Sequence, residues 1–103
     1  MIVIRFKVQC QPEKIEEALG VFAAVVQPSR QVDGVISFDI ARDVVDPSSI
    51  VAVEVFEDEA ARERQESLPE VGRVMSLLPG IVAAPPEATV FHVSSSVNPF
   101  AAA

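Results

Sequence analysis

Apolar and polar side chains alternate along several separate stretches of the chain. Apolar residues occupy every second position from Ile2 to Cys10, and the same period of two returns in residues 35–42. Because successive side chains of an extended strand point to opposite faces, both stretches predict β-strands. Residues 50–56, rich in β-branched side chains, predict a third strand, and residues 88–93 predict a fourth. The turn-forming residues 43–48 predict a hairpin between the second and third strands.

A helical period separates the first two strands. Ile15, Leu19, Phe22 and Val25 recur at the spacing of one helix face, and Pro12 suits the first turn. Pro28 should kink or end this helix, although one further turn to Arg30 is compatible with the sequence before Gly34 closes the segment.

Two more helices are predicted before the last strand. Asp58 can cap a short polar helix, and Pro69 opens an apolar one that ends at Pro79 and Gly80. The resulting order, strand, helix, two strands, helix pair and strand, predicts an α+β ferredoxin-like βαββαβ fold with a four-stranded antiparallel sheet. We expect residues 1–95 to form one domain and residues 96–103 to form a flexible C-terminal tail.

The second face of this sheet is expected to be apolar as well. The first strand places Val3 there, and the alternation assigns Val35 and Ala41 of the second strand to the same face. Packing the face against that of a second copy would remove it from water. The sequence therefore predicts a homodimer formed through the sheet.

Composition excludes several functional classes. The chain has 15 acidic and 8 basic residues, a formal net charge of −7 and no basic cluster. Nucleic acid and anionic membranes are therefore poor partners. Cys10 is the only cysteine, so no intramolecular disulfide and no cysteine-based metal site can form. With no signal-peptide pattern and no long apolar run, a cytoplasmic location is expected.

The hairpin and the segment after it resemble the antibiotic biosynthesis monooxygenase (ABM) domain family. The resemblance is carried by Gly34, Ser37, Phe38, Arg42, Asp43, Asp46, Pro47, Glu54, Phe56, Asp58 and Ala60. It implies a dimeric α+β barrel with a ligand cavity between helices and sheet. It also implies oxidation of a small aromatic or quinol substrate by molecular oxygen, without a cofactor or metal. Other members degrade haem or isomerise small metabolites. Relatives often carry a histidine where this chain has Gln65.

Three residues are candidates for catalysis. His92 is the only side chain with an unperturbed pKa near neutrality, so it is the first candidate base, and a hydrogen-bonded histidine at a strand end is the structural alternative. Arg42 could hold an oxyanion or could pin the hairpin by pairing with Glu54 or Asp43. Glu54 could act as a base if it lies alone in an apolar cavity, where its pKa would rise.

A small apolar or aromatic ligand is the expected partner besides a second copy of the chain. Side chains that could line its pocket or fill the core instead are Phe6, Phe22, Phe38, Phe56 and Met75. Gln65 could donate to a ligand carbonyl or lie exposed on its polar helix. Two alternative functions remain open, an isomerase with the same fold and a non-catalytic, dimeric ligand-binding or stress-response module.

Overall fold

The computed structural model describes residues 1–101 and contains four strands and three α-helices. A single 3₁₀ turn, Pro12–Lys14, leads into the first helix. In chain order the elements are β1 (Ile2–Gln9), α1 (Ile15–Arg30), β2 (Val35–Arg42), β3 (Ser49–Phe56), α2 (Glu59–Glu66), α3 (Pro69–Ile81) and β4 (Glu87–His92). The predicted ferredoxin-like α+β fold is confirmed.

The sheet is antiparallel, with the strand order β2-β3-β1-β4. The connection from β1 to β2 passes over β3, and the connection from β3 to β4 passes over β1. Ile4 of β1 faces Glu54 of β3 on one side and Val90 of β4 on the other. Since cross-strand partners share a face, these three side chains all point toward the helices.

The alternation in β2 is interrupted near its start. Val35 is the partner of Phe56 and Ser37 is the partner of Val55, which leaves Ile36 as an extra residue in a bulge. A bulge shifts the faces of the residues that precede it. The predictions for this end of β2 were therefore wrong: Val35 packs against the core, whereas Ile36 is 57% exposed.

Two helices continue past prolines that could have ended them. α1 includes Pro28 and reaches Arg30, the longer of the two predicted courses, whereas α3 includes Pro79 and ends only at Ile81, so the predicted stop was wrong. Each proline stands in the last turn, where it removes a single helical hydrogen bond. At the start of α2, Asp58 accepts the predicted capping hydrogen bond from the Ala61 amide at 2.9 Å.

The core lies between the helices and the inner face of the sheet. Its main cluster joins α1 and α3 to the strands and contains Val8, Cys10, Ile15, Ala18, Phe22, Val25, Phe38, Ile50, Val74, Leu78 and Ile81. A smaller cluster holds α2 against the sheet through Ile2, Ile4, Phe56 and Ala61. Burial raises the pKa of the Cys10 thiol, which packs here as a small apolar side chain.

The loop between α1 and β2 approaches α2 closely at Gly34. This residue has φ of +88°, a backbone conformation that side-chain-bearing residues rarely adopt. A Cβ at this position would lie 2.6 Å from Cβ of Ala61, which is fully buried. Glycine thus allows the loop and α2 to touch.

The outer face of the sheet carries an apolar patch formed by Val3, Val53, Val55 and Phe91. Val3 is the cross-strand partner of both Val55 and Phe91. Phe91 is 48% exposed and Val53 is 40% exposed in the single chain. The expected second apolar face is therefore present. Ala41 of β2 lies on it as predicted, since it is the cross-strand partner of Val51, whereas Val35 does not.

One edge of the sheet is engaged by a side chain of α1. Arg30 Nε donates to the carbonyl of Phe38 on edge strand β2 at 2.9 Å, and its Nη2 lies 3.1 Å from a carboxylate oxygen of Asp39. β4 forms the opposite edge and contains six residues, all exposed.

The segment after β4 is exposed from residue 94 to residue 101, as far as it is described. Val97 and Phe100 are 87% and 94% exposed, and the Phe100 amide donates to the side chain of Asn98 at 2.9 Å. The last two residues of the predicted tail, 102–103, lie outside the described part, so the boundary at residue 95 stays a prediction. Of the helices described, none combines the length and apolar character needed to cross a bilayer.

Candidate active site

A cavity of about 470 Å³ lies between the inner face of the sheet and the three helices. Most of its lining is apolar: Ile4, Phe6, Phe22, Val25, Phe38, Ile40, Ala52, Val71, Val74, Met75, Leu78, Ala88 and Val90. The Phe6 and Phe22 rings stack with centroids 6.2 Å apart at an angle of 27°. The size and the flat aromatic wall suit a small apolar ligand.

The cavity opens between α3 and edge strand β4. Met75 of α3 is 61% exposed and Val90 of β4 is 38% exposed, and both belong to the lining. A ligand can therefore reach the interior past these two side chains. The cavity is not filled by side chains from the core.

Glu54 is the carboxylate that the sheet places inside this cavity. It lies at the middle of β3 between Ile4 of β1 and Phe38 of β2, and the alternation of β3 directs it toward the helices. Removal from water disfavours its charged form, and the nearby Glu66 carboxylate adds to the effect, while Arg62 opposes it. Together they raise the pKa of Glu54 to about 7.

Arg62 and Glu66 form a charged group of α2 beside Glu54. They stand four residues apart on one helix face, and Arg62 Nε lies 2.9 Å from an oxygen of Glu66. Arg62 Nη1 also lies 3.4 Å from Glu59. The guanidinium is therefore shared between two carboxylates of its own helix while it lines the cavity.

Gln65 is buried next to this group and lines the cavity. It is 2% exposed, and its Nε2 donates to Oγ of Ser29 at 3.0 Å. Ser29 is itself fully buried in the last turn of α1, so the bond fixes the amide between two helices. The predicted alternative of an exposed Gln65 is wrong, because α2 turns this face inward.

The structure brings six of the nine predicted site residues to the cavity. These are Glu54, Phe6, Phe22, Phe38, Gln65 and Met75. Phe56 lies outside the lining, because it fills the smaller core cluster under α2 and is fully buried.

His92 also lies outside the cavity lining. It is the cross-strand partner of Ile2 at the end of β4 and shares the inner face with Val90, as the alternation indicates. The cavity ends at Val90, however, and the His92 side chain is exposed beyond it. His92 therefore does not line the cavity, where a base would have to lie.

Arg42 is directed to the hairpin turn rather than to the cavity. Its Nε donates to the carbonyl of Pro47, and its Nη1 lies 3.4 Å from Glu16 of α1. The two pairings considered from the sequence are not formed, since Asp43 binds Lys7 at 3.2 Å and Glu54 points inward. Arg42 thus stabilises the turn through a different acceptor.

Sequence reasoning missed three residues of the site. Arg62 and Glu66 have the i,i+4 spacing of a helix ion pair, a signal that the sequence contains but that equally describes an exposed surface pair. Ser29 gave no signal, because a serine one residue after a proline is typical of a helix end.

Within residues 1–101 no group of three or more His, Cys, Asp or Glu side chains is placed to hold a metal ion.

Several proteins of known sequence are similar to this chain. An uncharacterised protein of Synechocystis is 24% identical over 92% of this chain and 65% of its own length. YcnE of Bacillus subtilis, whose name proposes a monooxygenase, is 36% identical over 59% of this chain and 64% of its own length. The matches span just under two thirds of each of these relatives.

The fold is shared with solved structures. The Rv0793 protein of Mycobacterium tuberculosis superposes with a TM-score of 0.85 at 15% identity, over 94% of this chain and 98% of that one. The model of the antibiotic biosynthesis monooxygenase family matches residues 1–76, which include β1 to β3, α2 and Glu54. The match extends over most of the chain, and the resemblance of the hairpin is thereby confirmed. This chain belongs to the antibiotic biosynthesis monooxygenase family.

Proposed function

We propose that this protein is a cofactor-independent monooxygenase that oxidises a small phenol or quinol in the cavity, with Glu54 as the base. The observation that carries the proposal is a carboxylate, its pKa raised to about 7, facing an otherwise largely apolar and open cavity. A base that titrates near the working pH can both accept and release a proton efficiently. Family membership supports the reaction class.

In this reaction Glu54 removes the hydroxyl proton of the bound substrate. The resulting anion transfers one electron to molecular oxygen, and the two radicals combine to form a peroxide anion on the ring, which takes the proton back from Glu54 and becomes a hydroperoxide. Loss of water then gives the quinone, so one phenol with a reactive CH position and one O₂ yield one quinone and one H₂O. Gln65, fixed by Ser29, is available to hydrogen-bond the substrate oxygen. The apolar walls keep water from the anion.

Oxygen uptake tests the proposal. Metal-free protein should consume oxygen and form quinone with at least one member of a panel of anthrols, naphthols and quinols. Glu54→Gln should lower kcat by at least about 100-fold, because a positioned general base contributes about that much or more. The measurements are an oxygen electrode trace and product absorbance.

Glu17→Gln is the matched control for this loss. Glu17 is an exposed carboxylate on α1 that lies 4.0 Å from Nζ of Lys14 and outside the cavity lining. It should retain the activity of the wild type. Oxygen consumption that Glu54→Gln leaves unchanged, or no turnover of any substrate in the panel, would contradict the assignment.

An isomerase is the second candidate function. Glu54 could move a proton between two carbon atoms of a small oxygenated metabolite in the same cavity, and its pKa of about 7 favours transfer in both directions. Such a reaction needs no oxygen. Turnover that continues under argon would favour the isomerase, whereas turnover that stops would favour the monooxygenase.

We further propose that two copies of the chain pair through the apolar patch of the outer face. Val53 of β3 is 40% exposed in the single chain, and Phe91, across β1 on β4, is 48% exposed. Val53→Asp would place a charge in the buried interface, so the variant should sediment as a monomer while the wild type sediments as a dimer at micromolar concentration. A monomeric wild type would contradict the pairing.

A further inference from the structure

The cavity is lined by more acidic than basic side chains, and its basic side chain already binds carboxylates. Among the lining residues that the structure describes, Glu54 and Glu66 are acidic and Arg62 is basic. Arg62 already binds Glu66 at 2.9 Å and Glu59 at 3.4 Å. The cation at the cavity is therefore satisfied by carboxylates of its own helix, and no second cation lines the described cavity.

A neutral ligand and an anionic ligand of the same shape meet this arrangement differently. A neutral hydroxyl or amide N–H can donate to the Glu54 carboxylate. If that proton is transferred, the ligand gains a negative charge at the moment when Glu54 loses one, so the total charge of the cavity stays constant. A carboxylate or sulfonate instead adds a charge opposite Glu54 and finds no free guanidinium to bind.

We infer that the cavity selects its substrate by charge: it accepts flat, neutral aromatic molecules with an O–H or N–H donor and rejects molecules of equal size with a permanent anionic group. This inference rests on the proposed role of Glu54 as proton acceptor, but it concerns binding alone. It narrows the substrate class to neutral acids that ionise only after they are bound.

Gln65 does not supply the missing positive charge. Its Nε2 donates one N–H to Ser29 Oγ, and the second N–H is a neutral donor that a phenol oxygen can use as well as an anion can. An anion entering the cavity would lose water without gaining a charged hydrogen bond in return. Exclusion thus arises from the lack of a free cation among the described lining residues as well as from repulsion by carboxylates.

Naphthalene-2-carboxamide and 2-naphthoate are the probes for this inference, since they share shape and differ in charge. Binding is measured by isothermal titration calorimetry at about pH 8, where Glu54 and naphthoate are ionised. The wild type should bind the carboxamide at least about tenfold more tightly than naphthoate, because two like charges at short range in a partly buried site repel by at least that factor. Both probes lack the phenol hydroxyl, so turnover does not interfere.

Glu54→Gln identifies the source of the preference. It should tighten naphthoate binding by about tenfold and bring the two dissociation constants close together, whereas Glu17→Gln should leave their ratio unchanged. Equal or tighter binding of naphthoate by the wild type would overturn the inference, as would a preference that Glu54→Gln leaves intact. Absence of binding by both probes at millimolar concentration would overturn it too. A protein that discriminates as expected but consumes no oxygen would contradict only the proposed reaction.

Discussion

Glu54→Gln is expected to make the protein more stable above neutral pH, by about 3 kcal/mol in the free energy of unfolding. The pKa of Glu54 is about 7 in the folded protein, above its ordinary value of 4.5. Between these values the folded state holds a proton that the unfolded state has lost. The stability of the wild type therefore falls as pH rises from about 4.5 to 7 and stays reduced above 7, whereas glutamine does not ionise.

Urea unfolding at a series of pH values and at one fixed protein concentration measures this difference. The two curves should coincide near pH 4, within about 0.5 kcal/mol, and separate as pH rises. The charged neighbours Arg62 and Glu66 are unchanged in the variant, and Glu17→Gln should follow the wild-type curve at every pH. Parallel curves for Glu54→Gln and the wild type would show that Glu54 titrates normally. A variant that is more stable yet inactive would indicate that the carboxylate is kept for chemistry at the expense of stability.

Gly34→Ala is expected to cause the largest loss of stability, about 3 kcal/mol. The new Cβ would lie 2.6 Å from Ala61 Cβ, and φ of +88° is unfavourable for alanine as well. The backbone strain contributes about 1 kcal/mol and the forced shift of α2 contributes about 1–3 kcal/mol. Urea unfolding checks the value. Because α2 also positions Arg62, Gln65 and Glu66, the variant should lose ligand affinity too.

Two further variants separate these contributions. Gly20→Ala, in the exposed face of α1 with no atom within 4 Å of the new Cβ, should stabilise the protein by about 0.5–1 kcal/mol. Gly34→Ala combined with Ala61→Gly should recover the part of the loss that comes from contact with α2. If Gly34→Ala unfolds at the wild-type urea concentration, the close approach described for the loop is incorrect.

The sequence predicted the elements well where a local pattern decides them. Alternation located β1, and the Asp58 cap located the start of α2. The sequence did not predict the side-chain faces at the start of β2, where one extra residue changes the register. Because Val35, Ile36 and Phe38 are all apolar, the bulge at Ile36 cannot be distinguished from regular alternation. Pro79 likewise predicts a helix end, but a proline in the last turn is tolerated.

The candidate site was predictable in its residue types more than in its geometry. Glu54 was recognisable as a possible base, but its raised pKa depends on burial in the cavity and on the nearby Glu66, contacts that join distant parts of the chain. An imidazole is the more usual general base, yet the place of His92 two residues beyond Val90 on β4 puts it past the end of the cavity. The positions of β3 and β4 relative to the cavity, rather than the chemistry of the side chains, therefore determine that Glu54 and not His92 faces it.

The contact of Arg30 with Phe38 bears on how this sheet can meet other molecules. An edge strand with free main-chain groups is a template on which further strands can add, and this is a common route to aggregation. Arg30 occupies a main-chain acceptor of edge strand β2, while β4 at the other edge is short. Growth of the sheet by strand addition is hindered at both ends. For the pairing proposed above, this leaves the outer face, where side chains rather than backbone groups would determine what binds.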